Sequence, residues 1–280
     1  MGSNKPFVKY FIGGVGLFFV SVWLAIWAIP DSSLHLIACD VGQGDAILAT
    51  WGTFQVLTDA GPGKRVLDCL SKHMPFWDRE IEVVVLTHPQ IDHFGGLAEV
   101  FKRYKVDTFV KTQASSDTDE YRVLENAVGG SGARVVYADV GTQVRAGKIY
   151  LDIVHPPKDL TSSDDNDLSI VSILKFVNFE ALLTGDLSPK ATQLILSKNL
   201  IGPVEYIKVP HHGSRYGLTK SLLEASKPHV AVISLKKGNS YGHPHKETLD
   251  LLAEFGIKVY RTDEIGDVEI ISDGERWGLK

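Results

Sequence analysis

A chain of 280 residues with 44% apolar and 22% charged side chains excludes an intrinsically disordered protein and leaves room for one large domain or two small ones. A net charge of -5 argues against a generic nucleic-acid binder. The two cysteines exclude a disulfide framework and a cysteine-rich zinc site, and both Cys39 and Cys69 are expected as buried free thiols.

Residues 10–29 carry no charge and are rich in Phe, Leu, Ile, Val and Trp, with Lys5 and Lys9 before them and Asp31 after. This is about the twenty residues that a helix needs to span a bilayer. The stretch reads as an uncleaved anchor with the N-terminus in the cytoplasm and everything after Pro30 on the outer side. The alternative, a cleaved secretory signal, has only the poor site Ile26-Trp27-Ala28 to offer.

Beyond the anchor, strand-like and helix-like segments alternate. Residues 35–41 and 46–50 read as strands around the turn Gly42-Gln43-Gly44-Asp45, and 53–58 as a third ending at Asp59-Ala60-Gly61. Residues 65–72 look helical, 81–87 form a strand, 96–104 a helix, and 114–119 a polar loop. Strands over 134–138 and 149–154 precede a flexible acidic segment, 156–167. A second series then resembles the first: the strand running from Phe54 to Asp59 has a counterpart running from Phe179 to Asp186, and the strand into His88 has one over 204–210 leading into His211-His212. Such a duplication brings strand-end loops of two facing halves together along one edge.

The run Thr87-His88-Pro89-Gln90-Ile91-Asp92-His93-Phe94-Gly95-Gly96 packs three potential ligands into six residues, directly after an apolar strand. Imidazole plus carboxylate suits zinc, manganese or iron. Histidines recur in motif-like settings at His155, His211, His212, His243 and His245, and Asp186 adds a carboxylate where another apolar run meets a turn. His35, His73 and His229 read as ordinary surface or core residues. From Lys208 to Lys246 there are seven basic residues and one acid, Glu224, a local charge of +6 that favours an anionic substrate such as a phosphodiester.

These pieces resemble the metallo-β-lactamase superfamily and, within it, the hydrolase domain of ComEC-type DNA-internalisation competence proteins. The matching segments are Asp40-Val-Gly-Gln-Gly-Asp45, Thr58-Asp59-Ala60-Gly61, Thr87 to Gly96, Asn166-Asp167-Leu168-Ser169, Thr184-Gly185-Asp186, Val209-Pro-His-His-Gly-Ser214 and Tyr241-Gly-His-Pro-His245. The resemblance implies an αββα sandwich over residues 34–280, with residues 1–30 as cytoplasmic stub and transmembrane anchor, and two divalent metal ions, zinc or manganese, at one edge. His88 would serve the first metal, Asp92 and His93 the second, and Asp186 would bridge them. His243 is the first choice for the remaining ligand of the second metal and His211 the next, while Asp59 supports the ligand loop. Asp92 would help fix the attacking hydroxide, and His212 or His245 would protonate the leaving oxygen or hold phosphate. Two departures weaken the first site: Gln90 stands where the superfamily pattern has histidine, and Asn166 where a downstream histidine is expected. The expected function is a membrane-anchored phosphodiesterase, a nuclease acting on DNA outside the cytoplasm, with a separate DNA-channel protein as partner. The rivals are hydrolysis of esters, thioesters or lactams and a non-catalytic accessory module.

Overall fold

The computed structural model describes residues 5–27, part of them as backbone alone, and residues 29–280. It divides into two compact units, Met1–Asp31 and Ser32–Lys280. The first holds one helix, α1 (Lys5–Trp27). The expected membrane span over 10–29 falls partly outside the described residues, and among those described no helix is long and apolar enough to cross a membrane.

The second unit begins with β1 (Leu34–Ala38), β2 (Ile47–Trp51), β3 (Phe54–Thr58), α2 (Arg65–His73) and β4 (Glu80–Val85). There follow α3 (Ile91–Phe94), α4 (Leu97–Arg103), β5 (Lys105–Lys111), α5 (Asp119–Ser131) and β6 (Arg134–Tyr137). The second half runs β7 (Gln143–Ala146), β8 (Ile149–His155), β9 (Val171–Phe176), β10 (Phe179–Leu183), α6 (Pro189–Ser197), β11 (Tyr206–Lys208), α7 (Lys220–Ser226), β12 (Val230–Ile233), α8 (Lys246–Glu254) and β13 (Lys258–Arg261). It closes with α9 (Thr262–Ile265), β14 (Val268–Ser272) and β15 (Trp277–Leu279).

One sheet has the order β15-β14-β1-β2-β3-β4-β5-β6 and the other β13-β12-β11-β10-β9-β8-β7. The two inner faces share a core that includes Leu36, Val56, Val85, Leu174, Phe179 and Val232. The outer face of the first sheet packs on α2, α4 and α5 through Leu57, Leu70, Val100 and Leu124, and that of the second on α6 to α8 through Ile207, Ile195, Leu223 and Leu252. Helices therefore cover both outer faces, which is the helix–sheet–sheet–helix layering that the resemblance implies.

The halves repeat each other in register as well as in sequence. Antiparallel β2–β3 is followed by parallel β3–β4–β5–β6, and antiparallel β9–β10 by parallel β10–β11–β12–β13. Parallel strands buried on both faces read as continuous apolar runs, as Val230–Ile233 does. Asp59, His88, Asp186 and His211 thus all stand just beyond the carboxyl ends of parallel strands, where open α/β sheets place ligands.

The sequence reading requires one correction here. Cys39, just after β1, and Cys69, on α2, are joined as a disulfide, so neither is a free thiol. Helix α5 begins where the polar loop over 114–119 ends; Thr118 caps it, its side chain accepting from Tyr121 N–H.

Candidate metal centre

Asp59, with φ at 61°, turns the chain sharply after β3 and aims its carboxylate back across the next strand end. Its Oδ1 accepts from Thr87 N–H (2.8 Å), and its Oδ2 accepts from Thr87 Oγ1 (2.7 Å) and His93 Nδ1 (2.8 Å). A proton on His93 Nδ1 leaves Nε2 facing Asp186 Oδ1 at 3.3 Å. His212 repeats the arrangement from the other half. Its Nδ1 donates to the Ser234 carbonyl (2.9 Å), leaving Nε2 at 3.4 Å from both Asp92 Oδ2 and Asp186 Oδ2.

Asp92, His93, Asp186 and His212 each offer one atom to a group lying within 4.8 Å. His93 Nε2, His212 Nε2 and Asp186 Oδ1 are buried without a hydrogen-bond partner. Buried polar atoms normally find one. Two imidazole nitrogens and two carboxylates converging in this way fit a divalent cation of the zinc, manganese or iron type.

The loops that carry these side chains are stitched to one another. Asp45 N–H donates to the Asp92 carbonyl (3.1 Å), Ala60 N–H to that of His93 (2.7 Å), and Gly61 N–H to that of Asp45 (2.7 Å). At Gly44 a Cβ would stand 2.2 Å from the Asp92 carbonyl oxygen, so only glycine fits.

The charge distribution follows from the geometry. Burial works against the charged form of His93, but Asp186 and Asp59 outweigh it and raise its pKa well above the usual imidazole value. His212 is raised likewise against burial, by Asp186 and Asp45. Burial would push Asp186 up, yet His212 and His93 hold it well below the ordinary carboxylate range, and Asp92 is held low by the same two imidazoles. In the metal-free cluster, protons on the two imidazoles therefore supply the positive charge that a cation would bring.

The first-metal position is built differently. His88 is buried, with Nδ1 at 3.0 Å from Thr87 Oγ1 and 3.2 Å from Ser169 Oγ, and its Nε2 has no partner. Burial, reinforced by His93, lowers its pKa to about 3. Gln90 Nε2 donates to Asn166 Oδ1 at 3.3 Å, so the two residues standing at expected histidine positions engage each other. His155 lies apart, with Nε2 on the Asp167 carbonyl at 2.8 Å.

Among the C-terminal histidines the geometry distributes the candidates differently from the expectation. His212, expected to handle a proton, stands in the donor set, and His243, the expected ligand, does not. The cause is local: His211, His212 and Gly213 adopt positive φ in succession (51°, 52° and 81°), which turns the second imidazole inward. His211 is left at the edge, its Nε2 3.9 Å from Asp186 Oδ2. His243 stacks on Tyr241 and packs against His245, and burial lowers its pKa to about 4. His245 sits at the N-cap position of α8, where its Nδ1 accepts from Arg215 N–H at 3.2 Å.

Two residues escaped the sequence reading as parts of the site. Lys208, fully buried at the end of β11, forms an ion pair with Asp45 Oδ2, donates to the Gly185 carbonyl (3.0 Å) and lies 3.6 Å from Asp186 Oδ1. Asp45 in turn faces His212 Nδ1 at 3.4 Å. A lone lysine in an otherwise apolar strand of three residues was the available signal. The expected basic surface also shrinks, since Lys208 is internal and Arg215, Lys220 and Lys246 pair with Glu247, Glu254 and Asp250. Lys236 remains at the cleft, an opening of about 930 Å³ whose lining includes Asp92, His212, Gln90 and Tyr241; Arg65 also lines it, paired with Asp40 Oδ2 at 3.0 Å.

Residues 40–160 match the model of the metallo-beta-lactamase superfamily. ComE operon protein 3 of Bacillus subtilis (strain 168) is 27% identical over 266 residues, covering 88% of this chain and 34% of the relative. The chain carries a metallo-β-lactamase domain. Recombination protein 2 of Haemophilus influenzae is 25% identical over 235 residues, covering 82% of this chain and 28% of that protein. The domain and its flanks thus span about a third of the length of these relatives. The metallo-β-lactamase fold protein YhfI from Bacillus subtilis superposes with a TM-score of 0.58 at 12% identity, covering 84% of this chain and 99% of that one, which shows the fold. Members of the superfamily are metal-dependent hydrolases.

Proposed function

We propose that this domain is a metal-dependent phosphodiesterase, a nuclease that acts on DNA outside the cytoplasm. The observation that carries the reading is the converging donor set Asp92, His93, Asp186 and His212, three of whose atoms are buried without partners, beside an open cleft that also holds Arg65 and Lys236. The name of one relative, a recombination protein, agrees with a substrate of DNA. The Cys39–Cys69 disulfide agrees with an oxidising compartment. Attachment to the membrane through residues 10–29 and partnership with a separate channel protein belong to the same reading and rest on the sequence.

A divalent cation in the donor set would act as a Lewis acid on a phosphoryl oxygen and activate water for attack. The chain's own residues prepare that chemistry. Asp59 and the Ser234 carbonyl fix the tautomers of His93 and His212, so that both present a bare nitrogen once the protons leave. Asp92, the most exposed of the four, brings its carboxylate to the cleft. His211, whose pKa burial lowers, is neutral at pH 7 and lies at the open edge, where it can accept a proton.

A second reading, an accessory module without turnover, is favoured by the hydrogen bond between Gln90 and Asn166, which engages two of the side chains at the first-metal position. One experiment separates them: metal content of the purified protein, with activity on labelled DNA, a bis-aryl phosphate and a lactam measured side by side. The nuclease reading expects metal-dependent cleavage of the first two and none of the lactam. Bound metal without turnover of any substrate would favour the accessory module.

A further inference from the structure

Tyr241 is 64% exposed and yet firmly placed. Asn239 Oδ1 accepts from the backbone N–H of Tyr241 (3.1 Å) and of His243 (3.0 Å), and Asn239 Nδ2 donates to the His243 carbonyl (2.7 Å). One face of the phenol ring lies on the His243 imidazole, with centroids 5.6 Å apart and planes at 25°. From His243 the rings continue inward to His211 (5.8 Å) and then to His212 (6.3 Å), a member of the donor set. Tyr241 lines the same cleft as Asp92 and His212.

An aromatic ring with one face covered, the other open, and its backbone already ordered loses little freedom when a flat ligand settles on it. Every nucleobase offers such a face, and stacking on aromatic side chains is how unpaired strands are held without regard to sequence. Within a duplex those faces are covered by neighbouring bases. Lys236 supplies positive charge for a phosphate, Arg65 lines the cleft while paired with Asp40, Ile91 adds a second exposed apolar side chain, and Glu120 and Asp165 also line the cleft.

We propose that Tyr241, backed by His243, is a stacking platform for a nucleobase of an unpaired strand, holding the nucleotide next to the phosphodiester that meets the donor set. This rests on the nuclease reading. It adds a subsite for the base to the proposed phosphodiester centre.

The test compares cleavage of a single-stranded oligonucleotide with that of an abasic strand of equal length, in manganese, by the full chain and its Tyr241→Ala and Tyr241→Phe variants. The KM preference for the base-bearing strand is expected to be about ten-fold, to collapse in Tyr241→Ala and to persist in Tyr241→Phe. With metal removed by a chelator, a 2-aminopurine in the bound strand is expected to be quenched by the parent and by Tyr241→Phe but not by Tyr241→Ala. An unchanged preference or unchanged quenching in Tyr241→Ala overturns the platform and leaves the nuclease reading standing. Cleavage of neither strand by the parent overturns both.

Discussion

His93 is held by Asp59 on Nδ1 and faces Asp186 from its unpartnered Nε2, and the two approaches do different work. The first orients the ring, whereas the second is the contact that a cation would replace. Asp186→Ala and Asp92→Ala are therefore each expected to reduce metal-dependent cleavage by at least about a hundred-fold while leaving the circular dichroism spectrum intact, with His229→Ala near neutral. The raised pKa values of His93 and His212 set a pH dependence with a definite sign. Their protonated contacts stabilise the metal-free fold below the unfolded value of 6.5, and that contribution is lost as pH rises through the higher folded values. Because binding must displace those protons, metal affinity should climb over the same interval. Thermal melting across pH, with and without manganese, checks both: Tm of the metal-free protein falls as pH rises above 6.5, and the gain on adding metal grows. Gln90→His places an imidazole beside His88 in place of a neutral amide and should add a second, tighter step to a calorimetric metal titration. An unchanged titration, with His88→Ala also silent, would leave a single-metal centre.

Strand β11 shows how an element of three residues can control a site it scarcely touches. Tyr206 and Ile207 bury as expected of a central parallel strand, but the strand ends in Lys208, whose ammonium is enclosed with Asp45 and Asp186. Burial alone would lower the lysine's pKa; Asp45 reverses this and raises it, and Asp45 is itself lowered against burial by Lys208. The pair is thus charged on both sides. Lys208→Met leaves Asp45 buried without its partner and is expected to cost about 3–5 kcal/mol in urea unfolding. The double variant with Asp45→Asn should recover part of that loss, since the two changes are coupled. Additive losses would mean that the ammonium and the carboxylate do not act as a pair.

For the molecule as a whole, all proposed ligands and both sheets lie after residue 31, so removal of residues 1–30 is expected to leave a folded domain with an unchanged circular dichroism spectrum per residue. Loss of structure in that fragment would make the first helix part of the fold. The layering was legible because apolar runs ended in Asp or His at matching places in the two halves, and strand ends are where such sheets collect ligands. Which of His211, His212 and His243 turns inward was not legible, because the choice depends on three consecutive positive φ angles and no periodicity records them. Helix α5 was hidden by its composition: Asn126, Gly129, Gly130 and Ser131 weaken the helical pattern, and only Tyr121 and Leu124 of its side chains are fully buried, with Ala127 and Val128 partly so. The disulfide was hidden for another reason, since two cysteines thirty residues apart say nothing of their distance until β1 and α2 are packed.

Strand β1 lies between β2 and β14, and its partner across the second of these ladders is set by pairs such as Leu34 with Ser272. A ribosome delivers Leu34 long before Ser272. Until β14 emerges, the strand that leads into Cys39 and Asp45 has one open edge, exposed to any other nascent chain nearby. Closure of so distant a pair makes assembly slow, because loop entropy is spent before the contact returns anything. The sheet that carries Asp45 is consequently completed only once β14 has joined β1, and a variant cut short before β14 would carry the candidate ligands without that sheet edge.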